Sequence, residues 1–139
     1  MKILLALFLT LSLSGCATVS NWYESYFMAK YDTSEHVLVN KITVYAGELK
    51  PLCDNHNQVK ASAMALFELS TELRSFSSHL PDNQLTVKMV TDLHTMVSEL
   101  HSRYQTNPTV NKTYCELKLK SISTAASTIQ KAIAKRPRS

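Results

Sequence analysis

From about residue 34 onward, apolar side chains recur at the spacing of amphipathic helices. In four consecutive segments they return every three or four residues, which places them on one face of an α-helix. Each segment ends at or near a proline or a cluster of polar turn residues. The pattern therefore predicts four helices joined by short connections.

The first predicted helix runs from Ser34 to Pro51 and the second from Asp54 to about His79. Either Asp54 or Asn55 suits the N-cap of the second helix, because a short polar side chain can accept hydrogen bonds from first-turn amides. The predicted apolar faces consist of Val37, Leu38, Ile42, Tyr45 and Leu49 in the first helix and Val59, Ala63, Leu66, Phe67, Leu73 and Phe76 in the second.

The third predicted helix begins near Asp82 or Asn83 and continues to about Tyr104. Pro108 suits the first turn of the fourth helix, where the missing amide hydrogen has no partner to lose. The fourth helix is the most regular, with apolar positions spaced 4, 3, 4, 3 and 4 until it ends near Arg136. The apolar faces are Met89, Leu93, Met96, Val97, Leu100 and Tyr104 in the third helix and Cys115, Leu119, Ile122, Ala126, Ile129 and Ile133 in the fourth.

The first 15 residues have the pattern of a secretion signal. Lys2 precedes an apolar run over residues 3–11, which is long enough for a signal peptide but too short to span a bilayer. Leu-Ser-Gly-Cys follows at residues 13–16 and resembles the bacterial lipobox. The resemblance covers about the first 17 residues and implies that Cys16 is lipidated and becomes the first residue of the mature chain. Two or three acyl chains on one residue make membrane attachment effectively permanent.

The residues after Cys16 bear on where the anchor lies. In enteric lipoprotein sorting, an aspartate directly after the lipidated cysteine retains the protein in the inner membrane. Ala17 and Thr18 follow here, so the resemblance implies an outer-membrane anchor facing the periplasm. Residues 16–33 are then a tether, 34–136 the helical domain and 137–139 a short tail.

The tether contains the densest aromatic stretch of the chain. Tyrosine and tryptophan favour the membrane interface, because each joins an apolar ring to a polar tip. A short helix packing on its own bundle accounts for the stretch equally well. The candidate membrane-interface residues are Trp22, Tyr23, Tyr26 and Phe27.

With Cys16 assigned to lipid, Cys53 and Cys115 remain, and an even pair in an exported chain predicts a disulfide. A metal pair or a reactive thiol is the alternative, but neither cysteine lies in a C-x-x-C motif. In an up-down-up-down bundle the second and fourth helices start at the same end, where both cysteines fall. The predicted fold is an all-α, antiparallel four-helix bundle with one disulfide.

Positive charge accumulates at the C-terminus, since no acidic residue follows Glu116. A solvated helix face with a frayed end explains this, and contact with anionic headgroups, lipopolysaccharide or an acidic partner is the alternative. Nucleic acid is disfavoured as a partner, because an exported, lipid-anchored chain does not ordinarily meet it. The basic tail consists of Lys131, Lys135, Arg136 and Arg138.

The composition argues against several chemistries. With only Gly15 and Gly47 present, the chain cannot form a glycine-rich phosphate loop or a G-x-S-x-G nucleophile elbow. His94 and His101 lie two turns apart, whereas metal ligands on one helix are usually four residues apart. We therefore expect no catalytic residues, no metal and no cofactor.

These features predict a non-catalytic lipoprotein that captures or pilots another envelope protein, with grooves between helices as the natural docking sites. In outline the chain resembles the helical pilotins of secretion systems. That resemblance is architectural and implies no particular binding residues. A phage- or plasmid-encoded envelope lipoprotein, acting in lysis or in superinfection or entry exclusion, is the alternative. The oligomeric state is left open.

Overall fold

The structure is a computed structural model, and it describes residues 28–138. Helices α1 (Thr33–Leu49), α2 (His56–His79), α3 (Gln84–Thr106) and α4 (Lys112–Ala134) follow one another, with a 3₁₀ turn at Lys50–Leu52 after α1. Consecutive helices pack together and α4 returns to pack on α1, which closes a ring of four. The predicted four-helix bundle is confirmed, and residues 28–138 contain no strand.

The predicted apolar faces of α2, α3 and α4 form the core. The buried face of α1 is rotated slightly from the predicted one. All six predicted positions of α4 are buried. In α1, Val37 is 44% exposed and Tyr45 is only partly buried, whereas Val39 and Ala46 are completely buried. The buried face of α1 is centred on Ile42, because this helix packs against both α2 and α4.

Polar side chains cap three of the four helices. Asp32 accepts a hydrogen bond from an amide in the first turn of α1, and Asn55, one of the two predicted candidates, does so for α2. Asn111 accepts from two amides of α4. The fourth helix therefore starts at Lys112, and the prediction that Pro108 lies in its first turn was wrong.

The predicted disulfide joins Cys53, which follows the 3₁₀ turn, to Cys115 in the first turn of α4. The two Cα atoms are 5.8 Å apart and both side chains are buried. We call this the disulfide end of the bundle. The opposite end, where α1 and α3 begin and α2 and α4 finish, is called the Glu35 end.

None of the helices between residues 28 and 138 is both long and apolar enough to cross a membrane.

Candidate functional site

A buried cluster of polar side chains lies at the Glu35 end. The Arg136 Nη1 donates to Glu35 Oε2 at 2.6 Å, and the Ser77 hydroxyl donates to Glu35 Oε1 at 2.6 Å. The Asn83 amide donates to the same Oε1 at 2.8 Å. The Arg136 Nη2 donates to Asn83 Oδ1 at 2.6 Å and to the Thr86 hydroxyl. We call these five residues the Glu35 network. Helices α1, α2 and α3 each contribute one member, Asn83 immediately precedes α3, and Arg136 lies two residues after the end of α4.

The network holds the four helix ends together. Glu35 is completely buried and Arg136 is 6% exposed, so their charges are largely removed from water. A buried ion pair is tolerated only when hydrogen bonds satisfy its remaining polar atoms, which Ser77, Asn83 and Thr86 provide. Asn83 also donates to the Ser77 carbonyl, and its Oδ1, the atom that would cap α3, instead accepts from Arg136.

The position of Arg136 corrects the predicted basic tail. This guanidinium lies inside the bundle, whereas Lys131, Lys135 and Arg138 are exposed. Glu35 balances its charge, so only the three exposed residues are free for contact with an outside partner. The prediction that Arg136 belongs to a solvated tail was wrong.

The two terminal segments of the described chain are joined at the Glu35 end. The Tyr31 amide donates to the Pro137 carbonyl at 3.1 Å. The Arg138 guanidinium lies over the Tyr31 ring, 5.1 Å from its centroid. The segment that leads back toward Cys16 and the exposed C-terminal residues therefore leave the bundle side by side.

Five of the predicted site residues, Cys16, Trp22, Tyr23, Tyr26 and Phe27, lie outside the residues that the structure describes. Lipidation and the membrane interface stay predictions. Met28, the first described residue, is 12 positions after Cys16.

An open groove of about 770 Å³ runs along α3, between Arg74 of α2 and Tyr114 of α4. We call it the α3 groove. The Arg103 guanidinium lies over the Tyr114 ring, 5.2 Å from its centroid, which restricts its orientation. The floor is a stripe of hydroxyl side chains at helical spacing, Thr95, Ser98, Ser102 and Thr106.

The sequence pattern did not predict the position of this groove. The hydroxyl stripe of α3 was visible in the sequence, since its members are spaced 3, 4 and 4. Arg74 and Tyr114 carry no such signal, because they belong to other helices and only the tertiary structure brings them alongside α3.

His94 forms part of the groove wall and connects α3 to α2. Its Nδ1 is 2.9 Å from the Ser70 Oγ, and the Ser70 hydroxyl donates to the Phe67 carbonyl. Burial, and to a lesser extent the charge of Arg74, lowers the pKa of His94, which favours a neutral ring at pH 7. Which of Ser70 and His94 donates to the other depends on the tautomer of the His94 ring.

The two histidines weighed as metal ligands both pack against the ring of Phe67. The Phe67 ring centroid is 5.3 Å from that of His94 and 4.9 Å from that of His101. Between residues 28 and 138, no group of three or more histidine, cysteine, aspartate or glutamate side chains is arranged to hold a metal ion.

At the disulfide end, two buried polar atoms lack hydrogen-bond partners among the described residues. They are the Tyr104 hydroxyl and the His56 Nδ1, whose rings have centroids 5.0 Å apart. Burial, and secondarily Tyr114, raises the pKa of Tyr104. On the surface of the same end, Lys112 donates to Asp54 at 2.6 Å, and this hydrogen bond raises the pKa of Lys112.

The described residues thus contain one stabilising polar network and one open, hydroxyl-lined groove with arginines at its edges. Such a groove can bind a polar or anionic ligand by charge-assisted hydrogen bonds. Comparison of the chain with protein-family models, with curated proteins and with solved structures found no match.

Proposed function

We propose that this chain is a lipoprotein, anchored through Cys16 in the outer membrane and facing the periplasm, that holds another envelope protein without catalysing a reaction. The observation that carries the proposal is the pairing of the two terminal segments. Tyr31 and Pro137 are hydrogen-bonded at the Glu35 end, so the tether and the C-terminus leave the bundle together.

In this proposal, the pairing sets the orientation of the domain relative to the membrane. The tether reaches the bundle at the Glu35 end, and an extended chain of 12 residues spans at most about 40 Å. Lys131, Lys135 and Arg138 are exposed at or near the same end. Basic side chains at a membrane surface are attracted to anionic headgroups. The disulfide end then points away from the membrane.

The links at both ends of the bundle support a binding role. A covalent bond joins the helices at one end and the Glu35 network joins them at the other. A surface held in one arrangement loses little conformational freedom when a partner docks, and this preserves binding free energy. The α3 groove lies along the side of the bundle, where the proposed orientation leaves it accessible.

The anchor is tested by comparing wild type with Cys16→Ser in fractionated cells. We expect wild type in the outer-membrane fraction and the serine variant in the periplasm, because the signal region alone cannot hold the chain in the bilayer. A serine variant that stays in the outer-membrane fraction after washing in high salt would contradict lipid anchoring.

The orientation is tested with the chain's one tryptophan, Trp22, in vesicles that contain brominated lipids. We expect brominated lipid to quench Trp22 fluorescence, because the proposal places this residue at the membrane interface. The matched control, Trp22→Phe with Thr109→Trp, moves the fluorophore to the exposed connection at the disulfide end. Equal quenching of the two proteins would contradict the proposed orientation.

A further inference from the structure

We propose that the α3 groove binds an extended, acidic peptide segment of the partner protein, with two carboxylates about four residues apart that pair with Arg74 and Arg103. This inference rests on the proposed binding function and names the surface that performs it. It follows from the positions of the two arginines, the charge of the groove and the hydrogen-bonding groups between them.

The two arginines define the spacing of the ligand. Arg74 of α2 and His94 of α3 line the same groove, and the charge of Arg74 affects the His94 ring. His94 and Arg103 are nine residues apart on α3, which is about 14 Å along the helix axis, and we take this as the approximate separation of the two guanidinium groups. Neither guanidinium forms an ion pair within residues 28–138.

The groove favours an anion. Glu99 is the acidic residue among the groove-lining side chains, and Lys118 of α4 is paired with its carboxylate. Arg74 and Arg103 therefore dominate the charge that a ligand meets. His94 adds little positive charge to the groove, because its lowered pKa favours the neutral ring.

Hydrogen-bond acceptors lie between and beside the arginines. The Thr95 hydroxyl donates to the Thr91 carbonyl at 3.0 Å, and the Thr106 hydroxyl donates to the Ser102 carbonyl at 2.9 Å. Since their protons are already used, the Thr95 oxygen can accept hydrogen bonds from a ligand, and the Thr106 oxygen, which already accepts from the Asn107 amide, has one acceptor site left. An extended peptide offers the unpaired backbone N–H groups that such acceptors need.

The same distances disfavour a helical ligand. In an extended chain, side chains four residues apart lie on one face and about 14 Å apart. This matches the approximate separation of the two guanidinium groups. A helix has most of its N–H groups already bonded, and its carboxylates would have to be about nine residues apart to cover the same distance. An anionic oligosaccharide would also meet the arginines, but it lacks the regular series of backbone amides.

The test is a titration of the full chain in nonionic detergent micelles with short synthetic peptides, followed by backbone amide chemical shifts. The probe peptide carries aspartates at positions i and i+4, and its controls carry adjacent aspartates or two asparagines. We expect the spaced peptide to shift amides of α3 and to bind roughly 3- to 10-fold more tightly than the adjacent one, because it reaches both arginines. Equal binding of the two acidic peptides would overturn the proposal.

Variants identify the contacts. We expect Arg74→Gln and Arg103→Gln each to raise the Kd by roughly 3- to 10-fold, because each loses one charge-assisted contact. Lys120→Gln removes the same charge from an exposed position that does not line the groove, and it should leave the Kd unchanged. Arg103→Glu should prefer a peptide in which one of the two aspartates is replaced by lysine. Unchanged binding by both glutamine variants would overturn the proposal.

Two further outcomes count against the groove. Peptide-induced shifts confined to the exposed basic residues Lys131, Lys135 and Arg138 would place the acidic ligand elsewhere. Shifts of the α3 amides by lipopolysaccharide core oligosaccharide, with none from the spaced peptide, would replace the peptide by a glycan. This titration contains no bilayer, so its result is independent of the anchor. Absence of peptide binding together with release of Cys16→Ser would reject only the groove. Peptide binding together with membrane retention of Cys16→Ser would reject only the anchor.

Discussion

The two ends of the bundle are held together by different physics. At the disulfide end, a covalent bond between Cys53 and Cys115 joins α4 to the connection between α1 and α2. Buried polar atoms of Tyr104 and His56 remain without partners among the described residues. At the Glu35 end no covalent bond joins the helices within residues 28–138. There Glu35 and Arg136 are hydrogen-bonded to each other, and each is also hydrogen-bonded to a neighbouring polar side chain.

The difference shows what each kind of link requires. A disulfide stabilises a fold mainly by restricting the unfolded chain, so it does not depend on complete polar packing around it. A buried ion pair acts only in the folded state, where losing one partner leaves an uncompensated charge. The covalent end can therefore tolerate an unsatisfied hydroxyl, whereas the ionic end depends on every member of its network.

The largest expected effect is at the disulfide end. We expect the double variant Cys53→Ala/Cys115→Ala to lose about 4 kcal/mol of unfolding free energy, because the bond closes a loop of 62 residues. Urea denaturation at pH 7 measures the loss, after a non-reducing gel has established that the wild-type bond is formed. A loss under about 1 kcal/mol would mean that the unfolded chain is already compact without the bond.

Hydrogen exchange after reduction of wild type compares how readily the two ends open. Exchange should accelerate first in the opening turns of α2 and α4, where the bond is attached, and later at the Glu35 end. Simultaneous acceleration at both ends would show that the two ends open as one unit.

The next effect is at the Glu35 end. We expect Arg136→Met to cost about 3 kcal/mol, because it leaves the Glu35 carboxylate buried without its partner. The double variant Glu35→Leu/Arg136→Met should recover part of that loss, since no buried charge remains, while Ser77, Asn83 and Thr86 still lose their charged partners. Urea denaturation of the two single variants and the double variant gives the coupling energy.

Arg138→Met is the matched control for this pair, because Arg138 is exposed and lies over the Tyr31 ring. Its loss should not exceed about 1 kcal/mol, as for exposed cation–π contacts. Equal losses in Arg136→Met and Arg138→Met would contradict a buried network.

The smallest effect has the opposite sign. Tyr104→Phe should raise the unfolding free energy by roughly 0.5 to 1 kcal/mol, because it removes a buried hydroxyl that has no partner. Thermal and urea denaturation measure the change, and Tyr114→Phe is the control at the partly exposed neighbouring tyrosine. If Tyr104→Phe destabilises the protein, the hydroxyl has a partner such as a bound water, and the contrast between the ends weakens.

Local periodicity predicted much of the fold correctly. The six apolar positions of α4 are all buried, because a regular seam leaves one way to orient the helix. The helix order in turn brought Cys53 and Cys115 to one end, and they form the predicted bond. Val37 was assigned to the wrong face because α1 packs against two neighbours, and the balance between them is not a property of α1 alone.

Arg136 illustrates the limit of reading charges along the chain. It belongs to a run of basic residues near the C-terminus, and such a run ordinarily indicates a solvated segment. The missed signal was Glu35, which lies three residues before Leu38 and seven before Ile42, on the buried face of α1. A carboxylate at a core position needs a buried cation as its partner. The sequence contains 15 lysines and arginines, and its pattern does not indicate which of them is that partner.

The helices, their order and the end at which the cysteines meet could be predicted from the sequence, because they follow from hydrophobic periodicity and chain direction. The Glu35 network, the pairing of the terminal segments and the α3 groove could not, because they depend on how the helices pack. The hydrogen bonds that Glu35 receives from other side chains come from residues 42 to 101 positions away. Local periodicity carries no information about such pairs, because they meet only once all four helices have packed around one core.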